Sequence, residues 1–199
     1  IIGYTGTSNA KKVLTEGLQE LEYRGYDSAG IAYFTGDTIK TIKREGKVSF
    51  LCEAVNEDAA NDEANCGIGH TRWATHGGVS STNCHPHTCG KVTLIHNGII
   101  ENYKKLEEEF RAKGQEPISQ TDSEIAAMVI NDCYEGNPVK AIKKAVASAT
   151  AFLLYISKKF VKGNIKRVYQ SNNILEYVPN AVFHSVKNQY TFRKDSAFS

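Results

Sequence analysis

The run Gly67-Ile68-Gly69-His70-Thr71-Arg72-Trp73-Ala74-Thr75-His76-Gly77-Gly78 organises the reading of this chain. Small and apolar residues lead to His70. A cation, a large aromatic, hydroxyls, a second imidazole and a glycine pair then follow in close succession. The glycine pair marks a sharp turn or a close backbone approach. Arg72 offers a rigid fork of donors that suits a carboxylate, and Trp73 a broad apolar surface. The pattern predicts a strand whose end opens into a loop able to hold a small carboxylate-bearing molecule. The plainer alternative is a strand end whose arginine pairs with a structural aspartate.

Outward from this run, strands are expected at residues 1–4, 31–34, 38–44 and 91–96. Helical spacing of apolar residues marks 10–22, where Ser8 or Asn9 can cap, and 103–113 is amphipathic; helices are also expected at 48–55 and, after the Gln120-Thr121 turn, at 123–134. A further helix starts at Pro138, a residue suited to a first helical turn. Residues 56–65 are polar and acidic and read as an exposed loop, and 79–90 also read as loop. Strands return at 152–157, 165–170, 181–186 and 190–193. Strands, then helices, then strands, with hairpins in place of regular βαβ alternation, predict an α+β fold with antiparallel sheets.

At 199 residues the chain is long enough for one domain with a sizeable core. A net charge of +2 argues against a nucleic-acid or membrane-surface partner. No apolar run approaches membrane-span length and no leader is expected. Five irregularly spaced cysteines do not form a disulfide framework, so a cytoplasmic setting is expected.

Three constellations carry chemistry. Asn97-Gly98 follows a strand and is a common hairpin signal, but residues 99–102 make no clean return strand. The Asn97 amide and the Gly98 N–H can instead converge on a developing oxyanion. Arg72 and Asp122 together could recognise the carboxylate and ammonium of a free amino acid, or simply pair with each other. Cys84-His85-Pro86-His87-Thr88-Cys89 holds zinc-type side chains, yet lacks the two separated ligand pairs of a structural zinc site. No metal and no cofactor are expected.

Tyr23-Arg24-Gly25-Tyr26-Asp27-Ser28-Ala29-Gly30, His70 to Gly77, and His96-Asn97-Gly98-Ile99-Ile100-Glu101-Asn102 resemble the glutaminase domain of glucosamine-6-phosphate synthases, a class II glutamine amidotransferase. Asn83 with His85-Pro86-His87, and Thr121-Asp122-Ser123-Glu124, fit the same pattern. The resemblance runs from Ile1 to about Val146. The purine-pathway amidotransferase shares the architecture without so close a match at residues 23–30.

The resemblance implies a four-layer αββα sandwich of two antiparallel sheets, of the N-terminal-nucleophile hydrolase type. It implies hydrolysis of L-glutamine to glutamate and ammonia, the ammonia passing to a sugar-phosphate isomerase domain that makes glucosamine 6-phosphate from fructose 6-phosphate. By the same resemblance Arg72 binds the α-carboxylate and Asp122 the α-ammonium. Asn97 and Gly98 form the oxyanion hole. Trp73, Thr75, His76 and Gly77 cover the bound glutamine, and Arg24 lies near the nucleophile. His70, His85 and His96 are expected to be structural. The full-length enzyme is expected to be a homo-oligomer.

Two departures stand out. The family opens with a Cys-Gly pair whose thiol is the nucleophile, and here the matching sequence starts at Ile1. The expectation is a chain inactive as written, or a non-catalytic glutamine-binding module. The domain is expected to fill residues 1–199, although 151–199 do not follow the family pattern and the isomerase domain is absent.

Overall fold

The structure, a computed structural model, describes residues 1–35, 38–58, 64–74 and 77–148, with backbone only at Arg24. Beyond these it describes the backbone of five strands within 155–194. The N-terminal half begins with β1 (Ile2–Thr5) and α1 (Ala10–Leu21). The Asn9 side chain caps α1 by accepting from the Lys11 N–H at 2.9 Å. A short 3-10 turn (Glu22–Arg24) leads to β2 (Ser28–Thr35), β3 (Thr38–Glu45), α2 (Val48–Glu57) and β4 (Cys66–Arg72).

The second half opens with the short strands β5 (His87–Cys89) and β6 (Val92–Leu94). Three helices follow: α3 (Tyr103–Ala112), α4 (Asp122–Asp132) and α5 (Pro138–Ser148). Then come β7 (Tyr155–Ile156), β8 (Tyr169–Gln170), β9 (Asn173–Ile174), β10 (Ala181–Val186) and β11 (Gln189–Lys194).

One sheet runs in the order β11-β10-β1-β4-β2-β3, and every described strand pair in the molecule is antiparallel. Helices and antiparallel sheets are segregated, which is an α+β fold. Side chains on β1, β4 and β2 alternate between the sheet's two faces. One face carries Ile2, Tyr4, Ile31 and Tyr33, packed with Leu14, Leu18 and Leu21 of α1 and with Val48 and Leu51 of α2. The glycines of β4 let α1 approach this closely. A Cβ at Gly67 would fall 2.7 Å from Leu14 Cδ1 and 2.6 Å from the Ala32 carbonyl oxygen.

The opposite face carries Ile68 and Ala32, buried with Ile95. It also carries His70 and Arg72, by the same alternation. Beyond it, β5 and β6 form a hairpin through Gly90-Lys91, with Cys89 opposite Val92. Val92 and Leu94 pack with Ile100, with Leu106 and Phe110 of α3, with residues 125–130 of α4 and with Ala141, Ile142 and Ala145 of α5. Residues 122–130 of α4 are all buried, so α4 is enclosed on every side and shows little amphipathic contrast.

Most expected elements form, with shifts at their ends. Residues 79–90, expected to be loop, end in β5, because Thr88 faces Thr93 and pairs hydroxyl to hydroxyl at 3.1 Å. The strand expected at 91–96 is confined to Val92–Leu94. Helix α4 begins at Asp122, a residue earlier than expected, because Thr121 caps it. Of the expected strands at 152–157 and 165–170, only 155–156 and 169–170 are described, and β9 is additional. Of the stretch 56–65, expected to be an exposed loop, residues 56–57 end α2 and Ala64 is buried, while 59–63, like the turn at 36–37, lie outside the described residues.

Candidate active site

Arg72 ends β4, buried to 4% exposure opposite Ser28 of β2. Its Nη1 and Nη2 donate to the carbonyls of Gly78 and Gly77 at 3.3 and 3.4 Å. The turn at Gly77 (φ +73°) folds these carbonyls back onto the guanidinium. Asp27 supplies the counter-charge, its Oδ1 3.9 Å from Nη1. Its other carboxylate oxygen accepts from the Ala74 N–H. The Asp27 N–H donates to the Arg72 carbonyl at 3.0 Å. The plainer expectation of an arginine facing an aspartate is thus met in part, with Asp27 as that partner. Trp73, next in sequence, projects outward at 65% exposure.

The amino end of α4 is the second pole of the site. Thr121 caps the helix, accepting from the Glu124 N–H at 3.3 Å, while the Glu124 carboxylate accepts from the N–H groups of Ile118 and Ser119. This is a variant of the capping box, in which the N-cap hydroxyl and a following glutamate satisfy orphan amides reciprocally. Asp122 is 4% exposed, and its Oδ2 accepts from the Ile100 N–H at 2.9 Å. His96 Nδ1 lies 4.0 Å from that oxygen and 3.0 Å from the Ser123 hydroxyl. The carboxylate therefore ties α4 directly to the segment that carries Asn97 and Gly98. Asn97 is exposed there, and the chain runs on through buried Ile100 into α3 without closing a hairpin.

Asn83 joins the two poles. Its amide nitrogen donates to the Gly78 carbonyl at 2.9 Å, and its oxygen accepts from the Gln120 N–H at 2.9 Å. Hydrogen bonds thus run from Arg72 through Gly78 and Asn83 to the residue before the α4 cap. Arg72, Gly77 and Asp122 belong to one connected unit, with Gly98 two residues from the Ile100 amide that Asp122 holds. Thr75, His76 and the Arg24 side chain lie outside the described residues.

Behind this unit lies a layer of buried imidazoles. His70 and His85 stack with centroids 4.5 Å apart, and His87 meets His85 edge-on at 4.7 Å. His87 Nε2 pairs with the Thr121 hydroxyl at 3.0 Å. Gly30 makes room for the layer, since a Cβ there would sit 2.1 Å from the His85 carbonyl oxygen. Burial drives His70 and His85 well below the usual imidazole range, and burial with Lys43 and Arg72 nearby lowers His87 to about 3. These rings are neutral at physiological pH.

The cysteine–histidine run is dispersed: Cys84 Sγ faces the Ser80 carbonyl at 3.1 Å, and His85 and His87 turn into the imidazole layer. Burial pushes up the thiols of Cys52, Cys66, Cys84, Cys89 and Cys133, with Cys66 raised to about 12. A nucleophilic thiol needs the opposite shift.

Sequence reasoning missed the roles of Asp27 and Glu124. The Thr121-x-x-Glu124 spacing signals the cap. Nothing local signals that Asp27 serves Arg72, because their meeting depends on strand register.

An antiparallel α+β fold thus brings a buried arginine at a strand end and a buried aspartate at a helix start into one hydrogen-bonded unit. Comparison with known proteins makes the family specific: residues 55–166 match the glutamine amidotransferase domain, and the chain belongs to that family, in its class II.

Among relatives, the glutamine–fructose-6-phosphate aminotransferase (isomerizing) of Thermus thermophilus is 49% identical over 148 residues, 73% of this chain and 24% of that protein. The Helicobacter pylori protein of the same name is 45% identical over 150 residues, 74% of this chain and 25% of its own. The chain thus spans about a quarter of the length of these curated relatives. The solved glutamine phosphoribosylpyrophosphate amidotransferase of B. subtilis, complexed with ADP and GMP, superposes with a TM-score of 0.65 at 19% identity. That match covers 97% of this chain and 48% of that one. A glutamine aminotransferase class-II domain protein from Silicibacter pomeroyi gives a TM-score of 0.50 at 16% identity, covering 97% of both chains. At such identities these two structures show a shared fold alone.

Proposed function

We propose that this domain binds L-glutamine and, with a Cys-Gly pair ahead of Ile1, hydrolyses it to glutamate and ammonia. The observation that carries this reading is the register of β1 against β4. Ile2 pairs with Gly69 and Gly3 with Ile68. Two further residues would continue that ladder and bring the leading cysteine opposite Arg72. By strand alternation it would share the face that carries His70 and Arg72.

In this reading Arg72 takes the α-carboxylate and Asp122 the α-ammonium, with Trp73, Thr75, His76 and Gly77 over the ligand. The thiol, its proton passed to the free α-amine of the same residue, adds to the side-chain carbonyl carbon. The Asn97 amide and the Gly98 N–H stabilise the resulting oxyanion, and Arg24 adds positive charge beside the nucleophile. The amine returns the proton to the departing nitrogen, releasing ammonia and leaving a thioester. Water then cleaves the thioester, giving glutamate and restoring the thiol.

Helices α1 and α2 on one side, and α3 to α5 beyond the β5–β6 hairpin on the other, support the four-layer αββα sandwich as the full architecture. The identities with fructose-6-phosphate aminotransferases support a sugar-phosphate isomerase partner domain as ammonia acceptor, in a cytoplasmic homo-oligomer. No helix among the described residues is long and apolar enough to cross a membrane.

The test is a glutaminase assay on the chain with Cys-Gly preceding Ile1, beside the same chain with Ala-Gly. Glutamate and ammonia released one for one by the first alone support the reading. Silence from both, with glutamine binding retained, would leave a glutamine-binding module instead.

A further inference from the structure

We propose that Ser123 is a positioning residue for amino-acid recognition: its hydroxyl, held by His96, fixes the plane of the Asp122 carboxylate and through it the affinity for the ligand's α-ammonium. The inference rests on Asp122 being the ammonium's partner. Ser123 belongs to the Thr121-Asp122-Ser123-Glu124 run and lies in the first turn of α4. It is 2% exposed, and a hydroxyl so buried has to be satisfied within the protein. Its Oγ meets Asp122 Oδ1 at 3.3 Å and His96 Nδ1 at 3.0 Å.

Chemistry sets the direction of both bonds. An ionised carboxylate can only accept, so the Ser123 O–H donates to Asp122. That commits the hydroxyl's one proton, and the proton shared with His96 must be carried by Nδ1. The neutral ring is thereby held in its Nδ1–H form. A directed chain of donors thus runs from His96 through Ser123 to Asp122 Oδ1. The other oxygen, Oδ2, accepts from the Ile100 N–H at 2.9 Å. That bond alone would let the carboxylate turn about it, because the terminal torsion of an aspartate is broad. A second bond at Oδ1 fixes the plane. An ionised carboxylate has about four acceptor sites, so its plane decides the directions along which an ammonium can be met. Hydrogen bonds weaken steeply away from those directions.

The test is calorimetric titration of the full chain with L-glutamine and with glutaramate, which keeps the carboxamide and the carboxylate but lacks the α-amine. Ser123→Ala should weaken L-glutamine binding about tenfold, the scale of one charge-assisted contact, and change glutaramate binding less than about twofold. Ser123→Thr, which restores a hydroxyl, should bind L-glutamine within about threefold of the parent chain. Ser123→Cys is close in size to the native residue but a much weaker donor. It should lose affinity for L-glutamine selectively, and it carries the test if Ser123→Ala fails to fold. Equal losses for the two ligands would mean a merely structural serine and would overturn the proposal. So would unchanged L-glutamine affinity in Ser123→Ala, or a Ser123→Thr chain as weak as Ser123→Ala. Asp122→Asn separates the two claims: normal L-glutamine binding by that variant would refute the underlying reading of Asp122, whatever Ser123→Ala does.

Discussion

Mild acid should destabilise this domain, and the cause is the imidazole layer behind the site. His70, His85 and His87 are buried, and in the folded chain all three are depressed below the ordinary value of 6.5. Unfolding returns each ring to water, where it takes up a proton below that value. The unfolded state then binds more protons, so the stability that is fully present above about pH 6.5 is lost as pH falls. For His87, with a folded value of about 3, moving from pH 7 to pH 5 costs about 2 kcal/mol. His70 and His85 act in the same direction. Their losses add to that of His87, against a whole stability of ~5–15 kcal/mol for a typical domain. Urea unfolding at closely spaced pH values gives the number of protons taken up. Near pH 5.5 it should exceed the roughly 0.9 proton that His87 alone takes up. His85, whose two ring nitrogens have no hydrogen-bond partner, gives the control: His85→Phe should remove about one linked proton and lessen the loss in acid. Uptake well below one proton, or an unchanged slope in His85→Phe, would refute the reasoning.

Two further perturbations test the packing around the site. Gly30→Ala would force a Cβ to within 2.1 Å of the His85 carbonyl oxygen, a backbone atom that cannot swing away. It should lower stability by about 2–3 kcal/mol in denaturant melts, and a loss under ~0.5 kcal/mol would mean that the two layers can slide apart. Thr121→Ala removes both the α4 cap and the partner of His87 Nε2. A loss of about 1–2 kcal/mol is expected, with faster amide exchange in the first turn of α4. Unaltered exchange there would show that Glu124 holds the helix end alone.

Much of the fold was legible because its signals are local. Apolar spacing gives α1 and α3, Pro138 gives the start of α5, and the crowded run at 67–78 marks the end of β4. Strand β5 escaped notice because His87-Thr88-Cys89 carries no apolar alternation; its pairing with β6 across Gly90-Lys91 creates it. Helix α4 was expected at 123–134 and forms at Asp122–Asp132, but burial on all sides leaves no polar face from which its orientation could be read. The site divides in the same way. Arg72, Asp122, Asn97 and Gly98 could be named from their motifs. The links among them could not, because Asp27 reaches Arg72 through strand register and Asn83 reaches Gln120 across a turn. Contacts between residues distant in sequence leave no local periodicity to read.

The most direct measurement is a calorimetric titration of L-glutamine into the chain, beside Arg72→Lys and Asp122→Asn. Saturable one-to-one binding is expected. Arg72→Lys should lose over ~1 kcal/mol of affinity, since a point charge cannot reproduce the fork. Asp122→Asn should lose at least as much through the ligand's ammonium. Glutamine bound equally well by all three proteins would contradict an amino-acid site built on Arg72 and Asp122.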